Sequence, residues 1–230
     1  MQGNSREVSS SQQGCHEQLE AVVRKHLAEA SRRPPAAHTV AAFESVRAQV
    51  QAAGKPLVFD SFCGTGMSTA LLAERHPASL VIGIDKSAHR LQKHEHRQQG
   101  DYLLVQADCG DFWRLALAAG WRAEYHYLLY PNPWPKPGQL KRRVHGSADF
   151  PTLLALGGVI ELRSNWRVYV EEFARALAVA GVDAQPELFT AAQPLTLFER
   201  KYAGSGHELW RCRCHVGHNT PPRAAEHQTR

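Results

Sequence analysis

From residue 56 onward, short apolar runs alternate with helical patterns, which predicts an α/β fold built on a doubly wound, mostly parallel sheet. Two further observations support that class. The first three runs each close on an acid (Asp60, Asp85, Asp108), as expected where buried strands open into loops along one edge of a sheet. A glycine-bearing loop, Ser61-Phe62-Cys63-Gly64-Thr65-Gly66-Met67, follows the first run directly. At 230 residues the chain suits a single domain with additions and can bury a substantial core.

Residues 1–14, rich in Ser and Gln, are expected to be a disordered tail. Cys15 to Ala30 reads as a helix because Leu19, Val22, Val23 and Leu27 recur at helical spacing, and Ser31-Arg32-Arg33-Pro34-Pro35 breaks it. A second helix runs from Val40 to Ala53 and stops at Gly54, so residues 15–55 form an N-terminal helical extension. The α/β domain is assigned to residues 56–214. Its predicted strands are Pro56–Asp60, Leu80–Asp85, Tyr102–Gln106, Tyr125–Leu129, Val159–Arg163, Glu187–Phe189 and Leu209–Cys214. The helices between them are predicted at Ser68–Arg75, Ala88–Gln98, Phe112–Ala119, Phe150–Leu156 and Tyr169–Ala180. Residues 215–230, polar and rich in His and Pro, read as a flexible tail.

One stretch does not fit the strand and helix vocabulary: Tyr130-Pro131-Asn132-Pro133-Trp134-Pro135-Lys136. Three prolines in five residues forbid helix and remove backbone donors, so this is a rigid loop at the end of a strand. It holds the Asn132 amide between two rings of fixed φ, like a small lip over a flat substrate. A basic trio, Lys141-Arg142-Arg143, follows.

Apolar content of 43% and charged content of 21% are ordinary for a globular protein. A net charge of +5 leans towards an anionic partner such as nucleic acid. No apolar run spans a bilayer and Met1 to Gln13 lacks the apolar core of a secretory signal, so no membrane partner and a cytoplasmic location are expected. Five scattered cysteines argue against a disulfide framework, and Cys212-x-Cys214-His215-x-x-His218 lacks the usual zinc spacing, so no metal is expected.

In this fold, ligands bind outside the carboxyl ends of the strands, where connections diverge. The Asp60-x-x-x-Gly64-x-Gly66 loop lets backbone approach a ligand, yet it is short of the glycines that cradle a pyrophosphate. An acid just before it suits a cofactor without phosphates and with a cationic or amine-bearing part. S-adenosylmethionine has those properties: Asp85 can take both ribose hydroxyls, Asp108 the adenine amine, and the loop with Cys63, Gly64 and Gly66 the methionine portion.

Five segments together resemble the bacterial tRNA (guanine-N7)-methyltransferases. They are the Asp60–Gly66 loop; Gly83-Ile84-Asp85; Pro131 to Lys136 with Lys141-Arg142-Arg143; Asn165-Trp166-x-x-Tyr169; and Thr196-Leu197-Phe198-Glu199 with Gly206-His207. The resemblance covers roughly residues 56–212 and implies a Rossmann-like class I methyltransferase fold, S-adenosylmethionine as cofactor and tRNA as partner; the oligomeric state, a monomer among the options, stays open. It implies that Asp60, Asp85 and Asp108 hold the cofactor and that Asn132 touches both cofactor and substrate as the catalytic position. Lys136, Asn165, Thr196 and Glu199 would face the guanosine, while Lys141, Arg142 and Arg143 would meet tRNA phosphates.

Two positions depart from the pattern, which carries aspartate where this chain has Asn132 and again where it has Asn165. Guanine N7 is itself the nucleophile, so its methylation needs no general base. The reaction does create a cation on the base, which a nearby carboxylate would stabilise better than an amide. Two other readings therefore stay open. An exocyclic-amine methyltransferase would use Pro131-Asn132-Pro133-Trp134 in the manner of an Asn-Pro-Pro-aromatic loop, and a non-catalytic relative would bind tRNA or protein without transfer.

Overall fold

The computed structural model describes residues 5–29, 31, 33–95 and 100–217. Seven strands, β1 (Leu57–Ser61), β2 (Leu80–Asp85), β3 (Tyr102–Gln106), β4 (Ala123–Leu129), β5 (Gly158–Ser164), β6 (Pro186–Leu188) and β7 (Trp210–Val216), form one sheet. Their spatial order is β3-β2-β1-β4-β5-β7-β6, with β1 to β5 parallel and β7 antiparallel to both neighbours. Every residue of β1 and β2 is buried, as near-continuous apolar runs covered on both faces must be. On β7 the burial alternates: Cys212 and Cys214 point inward, whereas His215 is exposed on the other face. The Cys and His side chains of that stretch are thus separated by the strand's own period, and His218 lies outside the described residues.

The helices are α1 (Leu19–Ala28), α2 (Ala37–Ala53), α3 (Met67–Arg75), α4 (Ala88–Leu91), α5 (Cys109–Ala118), α6 (Phe150–Leu156), α7 (Arg167–Val179) and α8 (Leu197–Gly204), with 3-10 turns at Pro137–Arg142 and Val144–Gly146. None is long and apolar enough to cross a membrane among the described residues. The N-terminal helices merge with the domain rather than standing apart. Leu19 and Val23 of α1 and Phe43, Val46 and Val50 of α2 share one core with Phe112 of α5 and Phe173 of α7. Phe43 packs edge-on against Phe112 at 5.4 Å. The opposite sheet face is thinner, with Leu71 and Leu72 of α3 set against Val58, Val81 and Tyr127.

Three expectations need correction. Of the expected disordered tail, residues 1–4 lie outside those described, while residues 5–14, without helix or strand, are pinned to the fold: Ser5 N donates to Ser205 Oγ at 3.2 Å and Ser10 Oγ to the Pro135 carbonyl at 2.6 Å. These are polar anchors, invisible to a reading that weighs apolar content. The helix expected over Ala88–Gln98 stops at Leu91, because the stretch has one large apolar residue to bury and so lacks a face that packing could hold; residues 96–99 lie outside those described. Conversely, α8 was not anticipated. It starts where Thr196 Oγ1 accepts from the Glu199 amide at 2.9 Å, an N-cap written into Thr-x-x-Glu.

Candidate active site

The sheet order reverses between β1 and β4, and a cavity of about 740 Å³ opens at the carboxyl ends of those strands. Its floor is the loop after β1. Cys63 N donates to the Ile84 carbonyl at 3.1 Å and Gly64 N to Asp85 Oδ2 at 3.0 Å, so the loop is sewn to the end of β2. Gly64 sits at φ +62, and a Cβ there would find only Arg90 Nη1 at 3.8 Å: this backbone is open to the cavity. Gly66 serves differently. It does not line the cavity, and at its φ of +75 a Cβ would strike Leu104 and His94 at 2.8–2.9 Å. Close packing of the loop, rather than approach of a ligand, demands glycine at that position.

The three acids also divide. Asp85 lines the cavity and is held from behind, Oδ1 accepting from Ser87 N at 2.8 Å and from Arg90 Nη2 at 2.9 Å, while Oδ2, bonded to Gly64 N, keeps a second lone pair. Asp108, half-exposed on the wall, caps α5 through Asp111 N at 3.1 Å. Asp60 is wholly buried beneath the loop and does not line the cavity. Its Oδ2 accepts from Ser68 Oγ (2.6 Å) and Thr69 Oγ1 (2.7 Å), while Oδ1 has no partner within the protein. Burial pushes its carboxyl up to about 6, against the pull of those two hydroxyls.

Opposite this floor stands the loop that follows β4. Tyr130 and Trp134 flank Pro131-Asn132-Pro133 at φ +53 and +46, a left-handed conformation that costs a bulky residue about 1–3 kcal/mol. Two buried glutamates hold these strained ends. At the entrance, Glu199 accepts from the Tyr130 hydroxyl at 3.0 Å, Arg163 Nη1 at 3.0 Å and Leu195 N at 2.6 Å. At the exit, Arg143 Nε donates to the Trp134 carbonyl at 3.2 Å, and the same guanidinium is paired with Glu172. Between the two anchors, Asn132 is exposed, and its Oδ1 accepts from Trp134 N at 3.3 Å in a local turn.

Of the residues expected in the site, Cys63, Gly64, Asp85, Asp108, Asn132, Arg142, Asn165 and Thr196 line one cavity. Asn165 Nδ2 lies 3.2 Å from His207 Nδ1. Lys136 and Lys141 are exposed outside the cavity. Arg143 must be withdrawn from the phosphate-binding trio: it is completely buried against Glu172, with its guanidinium 5.1 Å from the centre of the Trp166 ring. Glu199 is equally buried and stands behind the cavity wall rather than in it. The aromatic lining was the part least anticipated. Phe62, Tyr130, Trp134, Tyr169, Phe198 and Tyr202 all contribute to the walls, and only the Phe198/Tyr202 pair could have been found from spacing, at i,i+4 once α8 is recognised.

The doubly wound sheet with an antiparallel β7, a glycine loop at the switch point and strand-end acids around it define a class I methyltransferase. Comparison with known proteins agrees. A family model described as a putative methyltransferase matches residues 54–212. The tRNA (guanine-N(7)-)-methyltransferase of Thiobacillus denitrificans is 30% identical over 169 residues, covering 67% of this chain and 73% of that protein. The enzyme of the same name from Sodalis glossinidius is 35% identical over 185 residues, covering 67% and 70%. Among solved structures, the 16S rRNA methyltransferase KamB superposes with a TM-score of 0.57 at 17% identity, over 76% of this chain and 94% of that one. A mutant 16S rRNA (adenine(1408)-N(1))-methyltransferase from Catenulisporales acidiphilia, with cosubstrate SAM, gives 0.53 at 19%, over 76% and 92%. Likeness at that identity speaks for the fold alone. The chain belongs to the tRNA (guanine-N7)-methyltransferase family.

The cofactor of this class is S-adenosylmethionine, and the residues present fit it. A glycine backbone open to the cavity (Gly64), two acids on the wall (Asp85 and Asp108) and, beneath the loop, the Asp60 carboxylate acting through its charge alone suit a ligand that carries an ammonium, a sulfonium and a diol but no phosphate.

Proposed function

We propose that this chain transfers a methyl group from S-adenosylmethionine to N7 of a guanosine in tRNA. The observation that carries this reading is the Pro131–Lys136 loop, which faces the glycine loop across one cavity and is pinned at both ends. In this reading Asp85 takes the ribose hydroxyls and Asp108 the adenine amine. Gly64 and Cys63 border the methionine portion, with the Asp60 charge beneath. When bound, S-adenosylmethionine supplies a methyl group made electrophilic by its sulfonium.

The protein's own part is orientation and charge. Guanine N7 attacks with an in-plane lone pair, so no side chain has to accept a proton. A wall of aromatic faces, Tyr130 and Trp134 foremost, receives a flat base and favours the positive charge that develops on it. Asn132 and Asn165 add amide dipoles at the positions where the resembled pattern has aspartate. Thr196 and the Glu199 it caps hold the start of α8 in place, and the strained, doubly anchored loop keeps the base in line with the methyl group.

The test is purified protein with labelled cofactor and bulk tRNA, followed by nucleoside analysis. Labelled 7-methylguanosine is expected. Labelled methyladenosine would replace this reading with the exocyclic-amine one, and cofactor binding without transfer would mark a non-catalytic RNA-binding relative. Because the local turn at Asn132 needs only an acceptor oxygen, Asn132→Asp keeps the loop geometry. Combined with Asn165→Asp, it should raise the rate on guanine about tenfold by restoring charge-assisted contacts. An abolished activity would make the amides specificity determinants.

A further inference from the structure

Three large apolar side chains are exposed among the described residues, and two of them, Leu197 (51% exposed) and Phe198 (49%), are neighbours at the start of α8 on the rim of the cavity. Phe198 is the outer member of a ring stack. It lies over Tyr202 with centroids 6.1 Å apart and planes 23° apart, and Tyr202 lies over the His207 imidazole at 5.4 Å and 17°. The inner end is fastened. His207 Nε2 meets the Ser5 carbonyl at 3.0 Å, His207 Nδ1 meets Asn165, and Tyr202 also packs on Tyr130 at 5.6 Å. A rigid stack fastened inside and half-exposed outside offers a flat π-surface to whatever approaches the cavity. Its surroundings are cationic: Lys201 lines the same cavity, and exposed Arg142 sits over the Trp134 ring at 4.9 Å on the facing lip. Aromatic faces flanked by cations are what unpaired nucleic acid selects, since every base has a π-face and every linkage a charge.

We propose that Phe198, backed by Tyr202 and His207, is a stacking platform for an unpaired nucleobase of the RNA substrate. This rests on the RNA reading above and adds the surface that captures the strand at the mouth of the cavity. A protein partner would meet this rim as an apolar patch, but the flanking cations and the continuity of the ring stack with the cavity favour a nucleotide.

The experiment compares RNA binding and methylation by wild type, Phe198→Ala, Phe198→Leu and Phe198→Trp, using bulk tRNA and an unstructured oligoribonucleotide. Phe198→Ala should weaken RNA binding roughly five- to 150-fold, the loss of one base–aromatic stack. It should raise KM for RNA more than it lowers kcat and leave cofactor affinity and melting temperature unchanged. Trp should restore binding and Leu should not. The salt dependence of binding should stay that of wild type, unlike Lys201→Ala, which should flatten it. Equal rescue by Leu, or wild-type affinity in the Ala variant, would overturn the platform. So would a change in oligomeric state with RNA affinity intact, which would make this face a contact between copies. A wild-type protein inert towards tRNA would instead sink the underlying reading before any variant is compared.

Discussion

Two glutamates, Glu172 and Glu199, are both fully buried, both paired with an arginine, and both anchor one end of the same loop. Their surroundings separate them. Glu172 collects the Gln12 amide (2.6 Å), His16 N (2.9 Å), His145 Nε2 (2.9 Å) and Arg143, so it ties the N-terminal segment, the loop exit and α7 into one knot away from the cavity. Glu199 holds the Tyr130 hydroxyl, whose ring is itself cavity wall. Chemically similar hubs therefore carry different burdens: one fixes the fold around the loop, the other fixes the face a substrate would meet.

The largest effect should come from Glu172. Removing one partner of a buried pair leaves an uncompensated charge, so Glu172→Ala should cost about 3–5 kcal/mol. The melting temperature should fall by roughly 2–4 °C for each kcal/mol, read by thermal or urea unfolding. The knot also makes the protein acid-sensitive. Burial alone would raise the Glu172 carboxyl, but hydrogen bonds from His145, Arg143 and His16 N outweigh it and hold the group well below the usual carboxylate range. Burial depresses His145 as well. A depressed folded pKa means stability present at neutral pH and lost on acidification, here first below about pH 6.5 and then below about 4.3. Glu172→Gln should flatten the second of these losses, below about pH 4.3, while the first, which belongs to His145, persists; an unchanged profile in that lower window would break the contrast between the two hubs.

Glu199→Gln should be milder for the fold and harsher for the chemistry. Arg163 keeps Glu161 at 2.6 Å as a second partner, so the cation is not stranded. The Tyr130 hydroxyl and Leu195 N lose a charged acceptor worth about 1.5–3 kcal/mol at such contacts. Transfer to RNA should fall roughly tenfold to a hundredfold in kcat/KM while cofactor affinity holds. Equal losses of stability in the two variants would erase the distinction.

The sheet was legible because its strands are apolar runs that stop on acids, and because the Pro-Asn-Pro loop cannot be anything regular. Directions of side chains were not legible. Lys141-Arg142-Arg143 reads as one solvated basic trio, yet a 3-10 turn ending at Arg142 turns Arg143 into the core towards Glu172, a partner 29 residues away. Glu199 reads as a substrate contact because it closes Thr-x-Phe-Glu. The same spacing makes Thr196 the cap of α8, and the helix that results turns Glu199 inward and Phe198 outward. Positive φ at Phe62, Tyr130 and Trp134 leaves no trace in residue type, so the aromatic walls emerged only from the fold.

Asp60 extends the comparison to a third buried carboxylate, with the opposite sign. Its folded pKa is raised to about 6, so its contribution to stability is present in acid and declines as pH rises from about 3.9 through 6. A charge that is costly to the free protein becomes useful when a cationic ligand arrives. Cofactor affinity should therefore fall as pH drops through about 6, by at most about tenfold per pH unit. Asp60→Asn should lower affinity at pH 8 and abolish that pH dependence. A pH-independent affinity in the wild type would remove Asp60 from the cofactor's electrostatics.

The smallest effect separates the basic trio that Glu172 divides. Lys141 and Arg142 are exposed, and each phosphate contact should add about 0.7–0.9 to the slope of log affinity against log salt concentration. Lys141→Ala and Arg142→Ala should each flatten the slope by about that much without changing the melting temperature. Arg143→Ala should do the reverse, lowering the melting temperature much as Glu172→Ala does. If RNA affinity is compared only under conditions where that variant remains folded, its salt slope should match wild type. A flattened slope in Arg143→Ala at full folding would mean that the Arg143–Glu172 pair opens when RNA binds, and the two glutamate hubs would then both belong to the site.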